Sequence, residues 1–397
     1  MNRFRHGKIG DFLTLQRGFD ITKKEQVNGQ IPVISSSGIA SYHNDYKVKG
    51  PGVVIGRKGT LGTVFYVKSN YWPHDTSLWV KDFKGNEPEF IYYFLKTLPL
   101  EKLDSGSANP TLNRNVVHLL DACIPILHDQ RKIAAVLSAL DAKIALNHRI
   151  NGELEGMAKL LYDYWFVQYD FPLSAAQAAA LGKPRLIGQP YRTSGGPMVY
   201  HEQLKREVPE GWEVKPLFEA MSVQYGFPFS TKQFTSEVTH VPVVRIRDIL
   251  ENTISLYTTE RVDEKYKLAP NDLVIGMDGN FHMNFWDKEG SYLNQRSVRV
   301  RAKEKSAISS FQSYFELAPY IKAREKNVSR TTVGHLSDKD LKRLHLMEPE
   351  TSNEFAPRAT FDSFLSQILL NRTQNQELTT LRDWLLPMLM NGQVRVG

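Results

Sequence analysis

Residues 144–154, IALNHRINGEL, lie within a pattern in which an apolar side chain recurs every three or four residues. This spacing predicts a long helix that packs lengthwise against another helix. The seam positions alternate steps of four and three, as in a coiled coil. They are Ile133, Leu137, Leu140, Ile144, Asn147, Asn151, Leu154, Ala158 and Leu161. Two asparagines therefore stand where apolar residues are expected.

The same pattern recurs at residues 368–378, ILLNRTQNQEL, where Asn371 and Asn375 occupy the matching seam positions. A lone polar seam residue is often only a tolerated surface position, but two matched pairs argue against that. A buried amide is satisfied only opposite another polar group, so a slipped alignment would be penalised. We predict that the two helices pair antiparallel and that four asparagines near the middle fix their register. These are Asn147, Asn151, Asn371 and Asn375.

The duplication extends through the whole chain. LTLQRGF at 13–19 matches MSVQYGF at 221–227, an offset of 208, and VVIGRKG at 53–59 matches LVIGMDG at 273–279, an offset of 220. Each copy begins with short β-like stretches broken by turn residues, such as QIPVIS and VPVVRI, and ends in the long helix. The predicted fold class is α+β, with two β-rich domains in pseudo-two-fold tandem separated by an antiparallel coiled coil.

The predicted boundaries follow this order along the chain. The first β-rich domain covers residues 1–128, the first spacer helix 129–168, a linker 169–207, the second β-rich domain 208–349, and the second helix and tail 350–397. The linker contains SAAQAAALGKPRLIGQPYRTSGGP at 174–197. Its Ala, Gly and Pro content predicts an exposed connection.

Composition narrows the class of protein. The chain has one cysteine, Cys123, which excludes an intramolecular disulfide framework and suits the reducing cytoplasm, where we predict the protein to lie. No group of Cys and His residues has the spacing of a zinc site, so we predict no metal site. Neither a signal peptide nor a membrane span is apparent, so no membrane partner is expected. The net charge of +7 favours a polyanion partner, although it also suits plain solubility.

Catalytic motifs are missing from the sequence. ANPTLN at 108–113 lacks the second proline and the aromatic of a methyltransferase motif, and GRKGTLG at 56–62 lacks the ending of a P-loop. We therefore predict a binder without catalytic residues. Two β-rich modules joined by a stiff spacer suit the recognition of two DNA half-sites.

The tandem modules, the paired helices with repeated asparagines and the start of the second copy, PEGWEVKPL at 209–217, resemble the specificity subunit of type I restriction–modification systems. The resemblance implies that each module is a target recognition domain and that the double-stranded DNA target is bipartite and asymmetric. It also implies two modification (adenine methyltransferase) subunits and further restriction subunits as partners. S-adenosylmethionine, ATP and Mg would bind those partners, and this chain would hold no cofactor.

Candidate DNA contacts in the first copy follow from side-chain chemistry rather than from the family. Cations beside glycines suit phosphates, asparagine suits adenine, and serine or threonine suits either bases or phosphates. The alternatives are a solvated turn for GRKGT and an Asn-Pro turn leading into a helix for ANPTL. The candidates are Arg57, Lys58, Thr60, His74, Thr76, Ser107, Asn109 and Thr111.

The second copy carries different side chains at the aligned positions. Met277 and Asp278 replace Arg57 and Lys58, and Asp278 is able to accept a hydrogen bond from cytosine N4. Arg245 and Arg247 alternate with apolar residues and are predicted to share a strand face, which either contacts guanine or is simply the solvated side of a sheet. The candidates are Arg245, Arg247, Asp278, Gln295, Arg296, Arg330 and Thr331.

Two other classes of protein stay open. One is the specificity part of a fused type II restriction–modification enzyme, and the other is a tandem-module scaffold that binds RNA or protein without a restriction role.

The aromatic and apolar residues at 160–171 and 381–389 are expected to pack mainly in the core. A minority of them would anchor modification subunits.

Overall fold

The computed structural model describes residues 3–103, 111–326 and 334–397. The chain divides into two compact units. Unit 1 contains Met1–Ala145 and Asn375–Gly397, and unit 2 contains Leu146–Gln374. The division therefore passes through both long helices, so each unit combines a β-rich domain with half of each helix. The predicted boundaries at 128 and 349 instead separated the helices from the domains.

Unit 1 contains nine strands among its described residues. They are β1 Phe4–Lys8, β2 Thr14–Arg17, β3 Ile31–Ser35, β4 Gly38–His43, β5 Gly52–Gly56, β6 Val64–Val67, β7 Trp72–Pro73, β8 Ser77–Asp82 and β9 Asp121–Pro125. The main sheet has the order β2-β8-β5-β6, a second sheet has the order β4-β3-β7, and β1 pairs with β9. Short helices cover Ile9–Phe12, Pro88–Lys96, Leu100–Lys102 (3-10) and Arg114–Leu119.

The core of unit 1 lies between its main sheet, helix Pro88–Lys96 and the long helices. Strand β5 is buried along its whole length, as its apolar sequence GVVIG requires. Leu389 and Met390, from the end of the chain, belong to the same apolar cluster. The C-terminal segment is thus an integral part of unit 1.

Unit 2 contains twelve strands among its described residues. They are β10 Met198–His201, β11 Arg206–Pro209, β12 Glu213–Pro216, β13 Met221–Tyr225, β14 Phe234–Thr235, β15 Val241–Val244, β16 Tyr257–Thr258, β17 Leu273–Gly276, β18 Met283–Phe285, β19 Tyr292–Leu293, β20 Ser297–Ala302 and β21 His345–Glu348. The helices are Ala175–Ala180, Leu217–Ala220, Ile246–Ile249, Ser310–Lys326 and Asp338–Lys342, with 3-10 turns at Pro184–Leu186, Thr231–Gln233 and Glu264–Tyr266.

The duplication read from the sequence is visible in the sheets. The order β13-β20-β17-β18 repeats β2-β8-β5-β6, and the pair β12–β21 repeats β1–β9. Even single backbone bonds recur: Arg57 N donates to Thr76 O at 2.9 Å, and Met277 N donates to Arg296 O at 2.9 Å. The predicted α+β fold with two β-rich copies in tandem is confirmed.

The long helices span Leu127–Tyr162 and Pro357–Met390, and a π-helical turn at Asp163–Val167 extends the first. The second begins seven residues later than the predicted start at 350. A proline at the first helical position explains this, because its missing N–H needs no partner there.

The helices pair antiparallel within each unit. In unit 2, Asn371 Nδ2 donates to Asn151 Oδ1 at 2.8 Å, and Asn147 Nδ2 donates to Gln374 Oε1 at 3.3 Å. In unit 1, Asn375 Nδ2 donates to the carbonyl oxygen of Ile144 at 3.4 Å. All four asparagines are buried. Their role in setting the register stays a prediction, but the amide facing Asn371 is now identified as Asn151.

Replacing one partner of this amide pair should cost more than replacing both. Asn151→Leu or Asn371→Leu strands a buried amide and should lower the free energy of unfolding by about 1–3 kcal/mol, whereas the double variant removes both amides and should recover much of that loss. Urea unfolding in a double-mutant cycle measures the coupling. His148→Leu at an exposed position, combined with Asn371→Leu, is the control and should show additive effects. Additivity for Asn151 and Asn371 would contradict the pairing.

The linker expectation is wrong in one respect. Residues 169–207 are not simply an exposed connection, because Phe171, Leu173 and Tyr191 are buried in the core of unit 2. Phe171 stacks on Tyr191 with ring centroids 4.5 Å apart and contacts Trp212 at 4.9 Å. Each aromatic ring buries a large apolar area. This burial holds the segment against the core, although the Ala, Gly and Pro residues between the rings predicted an exposed connection.

Among the described residues, no helix combines the length and the apolarity that crossing a membrane requires.

Candidate nucleic-acid interface

Three loops of unit 1 meet at one end of its main sheet, which we call loop end 1. Strand β8 runs antiparallel to both β2 and β5, and the register pairs Arg17 with Leu78 and Gly56 with Ser77. The end of β2, the segment 57–62 and the segment 74–76 are therefore neighbours. Residues 111–112 join them through a bridge between Lys58 and Thr111 and a bond from Leu112 N to Arg57 O of 2.9 Å.

Loop end 1 brings together six of the residues predicted for the first copy. Lys58 and Thr60 are exposed and the other four are half-buried. The six are Arg57, Lys58, Thr60, His74, Thr76 and Thr111. Ser107 and Asn109 lie outside the described residues. Asn113 caps helix Arg114–Leu119, because its side chain accepts a hydrogen bond from Asn115 N at 2.9 Å.

Asp75 contacts two of the cationic side chains at loop end 1. Asp75 Oδ2 accepts from Arg17 Nη2 at 2.8 Å, and Arg57 Nη1 donates to the carbonyl oxygen of Asp75 at 3.2 Å. Burial acts to raise the pKa of Asp75, but the bond from Arg17 and the charges of His74, Arg17 and Lys58 together lower it. Burial, with the charge of Arg17, lowers the pKa of Arg57. Asp75 is therefore an anion among cations.

Sequence analysis missed Arg17, although one signal was present. Arg17 precedes a glycine that recurs as Gly226 in the second copy. A Cβ at Gly18 would lie 2.1 Å from the carbonyl oxygen of His74, and a Cβ at Gly226 would lie 1.9 Å from that of Asn294. Only glycine permits this approach of the two loops. The duplicated glycine thus marks the end of the strand that places Arg17 beside Asp75.

Unit 2 repeats the backbone frame, and we call the equivalent place loop end 2. Tyr225 pairs with Val298 and Gly276 with Ser297, so the ends of β13 and β17 and the start of β20 are neighbours. His335 joins them through a bridge to Asp278. The frame is shared with loop end 1, while the side chains on it differ.

Loop end 2 contains Asp278, Gln295 and Arg296 of the residues predicted for the second copy. Asp278 Oδ2 accepts from Arg296 Nη1 at 2.8 Å, and its Oδ1 lies 2.6 Å from His335 Nδ1. Gln295 is exposed. Arg330 and Thr331 lie outside the described residues. His335 was not found from the sequence, because nothing in its local pattern distinguishes it.

The strand-face interpretation of Arg245 and Arg247 is wrong. Strand β15 ends at Val244, and Arg245 precedes the short helix Ile246–Ile249. Its guanidinium Nε donates to the buried Asp248 at 2.9 Å, and its backbone N donates to the same carboxylate at 3.0 Å. This capping contact turns the backbone into a helix, so the two arginines do not alternate along a strand. Arg247 remains exposed on that helix.

One group of side chains in the described parts of the chain has the composition of a metal site. The ligand atoms of Asp20, His74 and Asp75 lie within 4.8 Å of one another. Asp75 is held by Arg17, and His74 Nδ1 lies 3.0 Å from Thr76 Oγ1. These protein contacts account for both side chains, and we assign no metal there.

The family described as "Type I restriction modification DNA specificity domain" matches the chain twice, at residues 1–156 and 209–380. The chain belongs to this family. The two matches coincide with the two copies of the duplicated unit, and each includes one loop end and part of one long helix. The predicted resemblance to the specificity subunits is thereby confirmed.

Similar proteins carry the same designation. The EcoBI specificity subunit of Escherichia coli is 31% identical over 159 residues, which cover 40% of this chain and 33% of that protein. The chain thus spans a third of that relative. The MjaIX specificity subunit of Methanocaldococcus jannaschii is 24% identical, over 94% of this chain and 89% of that protein. The S subunit of a type I system from M. genitalium shares the fold, with a TM-score of 0.64 at 15% identity over 98% and 96% of the two chains.

Proposed function

We propose that the chain is the DNA-recognition subunit of a type I restriction–modification complex, with each unit recognising one half of a bipartite, asymmetric target. The observation that carries the proposal is the pair of loop ends. Each presents cationic side chains on the same backbone frame, but with different residues at equivalent positions, as Lys58 and Asp278 illustrate. Shared frames with different side chains suit two different base sequences.

Catalysis belongs to partner subunits in this proposal. The sequence lacks the motifs for a methyl donor or a nucleoside triphosphate, so S-adenosylmethionine, ATP and Mg would bind the modification and restriction subunits. The chain would direct adenine methylation and ATP-dependent restriction without catalytic residues of its own. Because it acts on host DNA, the complex would lie in the cytoplasm.

Two modification subunits are proposed because the long helices expose matching apolar residues at the offset of 224 found in the sequence. The most exposed pair is Leu160, with 71% of its surface accessible, and Trp384, with 54%. We call Met157 and Leu160 the first helix patch, and Leu381 and Trp384 the second helix patch; all four residues are exposed. Exposed apolar surface of this kind marks protein interfaces. The duplication suits two copies of one partner.

Domain exchange tests the proposed function. The first domain should be replaced by that of another family member, together with residues 385–397, because Leu385, Leu386, Leu389 and Met390 pack in the core of unit 1. We expect methylome sequencing of the host to show a changed sequence in one half of the target and an unchanged sequence in the other. The unmodified gene and a gene deletion serve as controls. Methylation that is independent of this gene, or a change in both halves, would contradict the proposal.

A further inference from the structure

Among the described residues, each loop end contains an arginine held by a less exposed aspartate. Arg17 is 53% exposed and bonds Asp75, which is 16% exposed, at 2.8 Å. Arg296 is 61% exposed and bonds Asp278, which is 23% exposed, also at 2.8 Å. In both pairs the carboxylate lies inside the protein surface and the guanidinium projects from it. Such a pair fixes the direction of an arginine that remains accessible to a ligand.

We propose that Arg17 and Arg296 each bind a guanine, one in each half of the target, and that Asp75 and Asp278 are positioning residues for them. The inference rests on the proposed function. A guanidinium has five N–H donors, so a bond to aspartate leaves donors for O6 and N7 of guanine in the major groove. The carboxylate of Asp278 accepts from Arg296 and faces His335, and in this proposal its role is to hold the arginine.

Other arginines of the two units are engaged differently. Arg245 bonds Asp248 and Ser255 and has only 20% of its side chain exposed. Arg301 bonds the buried Asp272 from within β20. Arg57 donates to a backbone carbonyl. Among the arginines of the described residues that lie at the two loop ends, Arg17 and Arg296 thus combine high exposure with a carboxylate partner.

The two arginines come from different loops of the shared frame. The residue equivalent to Arg17 in the second copy is Tyr225, whose hydroxyl donates to Asp338 at 2.7 Å. The residue equivalent to Arg296 in the first copy is Thr76. The guanidinium therefore approaches from the end of β2 in unit 1 and from the start of β20 in unit 2. This difference predicts guanines at different positions of the two half-sites.

Arg296→Lys and Arg296→Ala, in the full chain assembled with the modification subunits, test the inference. Lysine keeps the charge but loses the paired donors. Both variants should relax one guanine position in one half of the methylated motif, with discrimination at that position falling roughly 5- to 150-fold. The other half should not change. Asp278→Asn should relax the same position, which a purely structural role would not do.

The control is Arg192, an exposed arginine of unit 2 that lies 3.9 Å from Glu207 and is not part of loop end 2. Arg192→Lys and Arg192→Ala should leave the motif unchanged. Methylation of the unaltered motif by Arg296→Ala would overturn the inference and leave the proposed function intact. A uniform loss of affinity on all sequences, restored by lysine, would indicate a phosphate contact and would also overturn it. If the unmodified complex binds DNA without sequence preference, the proposed function itself fails.

Discussion

Trp212→Ala is expected to lower the free energy of unfolding of unit 2 by about 3–5 kcal/mol, a large part of the stability of an ordinary domain. The Trp212 ring contacts Phe171, Phe166 and Tyr169, with centroids 4.9, 5.2 and 5.8 Å away. It also stacks on Phe355 at 6.1 Å. One ring therefore joins the end of the first long helix, the linker and the segment before the second long helix.

The loss of stability in Trp212→Ala should arise from the lost packing contacts alone. The indole N–H of Trp212 is buried and has no hydrogen-bond partner among the described residues, so alanine removes apolar contacts without breaking such a bond. Calorimetry of the full chain measures the change. Tyr200→Ala is the matched control, because Tyr200 lies in the same unit and is 57% exposed, and its loss should change stability by less than about 0.5 kcal/mol. Equal effects of the two variants would show that the aromatic cluster does not hold unit 2 together.

Charged residues in one helix patch are expected to remove one modification subunit from the complex. In the first patch the variant is Met157→Asp with Leu160→Asp, and in the second it is Leu381→Asp with Trp384→Asp. Each pair should weaken one binding event by about 100-fold or more, because burying a carboxylate against an apolar partner is costly and aromatic anchors dominate interface energy. All four changes together should abolish assembly.

Native mass spectrometry measures this stoichiometry directly. The expected masses correspond to two modification subunits for the unmodified chain, one for each double variant and none for the combined variant. Ser366→Asp adds a charge at an exposed position of the second long helix, about four turns before the second helix patch, and should leave two subunits bound. Full assembly of the combined variant would show that the partners bind elsewhere.

Much of the loop ends followed from the sequence, but the partners of their charges did not. Strand ends were predictable from GVVIG and LVIG, so Lys58 and Asp278 were correctly expected in loops after a strand. Arg17 is 58 residues away from Asp75, and His335 is 57 residues away from Asp278. A local pattern contains no information about which distant loop comes to lie beside it.

The error at Arg245 and Arg247 has a different physical cause. Alternation over a few residues is compatible both with a strand and with the start of a helix. The hydrogen bonds from Arg245 to Asp248 decide between them, because they cap the short helix Ile246–Ile249. The linker differed from its prediction for a related reason. Its composition predicts turns, but the burial of Phe171 and Tyr191 depends on contacts with each other, Trp212 and Phe355.

The sequence by itself determined the duplication, the α+β class and the two long helices, because periodicity and repetition can be read from the order of residues without knowing which segments fold together. Only the tertiary structure decided that Asn371 faces Asn151, that Asp75 and Asp278 hold Arg17 and Arg296, and that each unit includes half of both helices. The physical reason is that a side chain's partner depends on which segments fold together, and those segments are far apart in sequence.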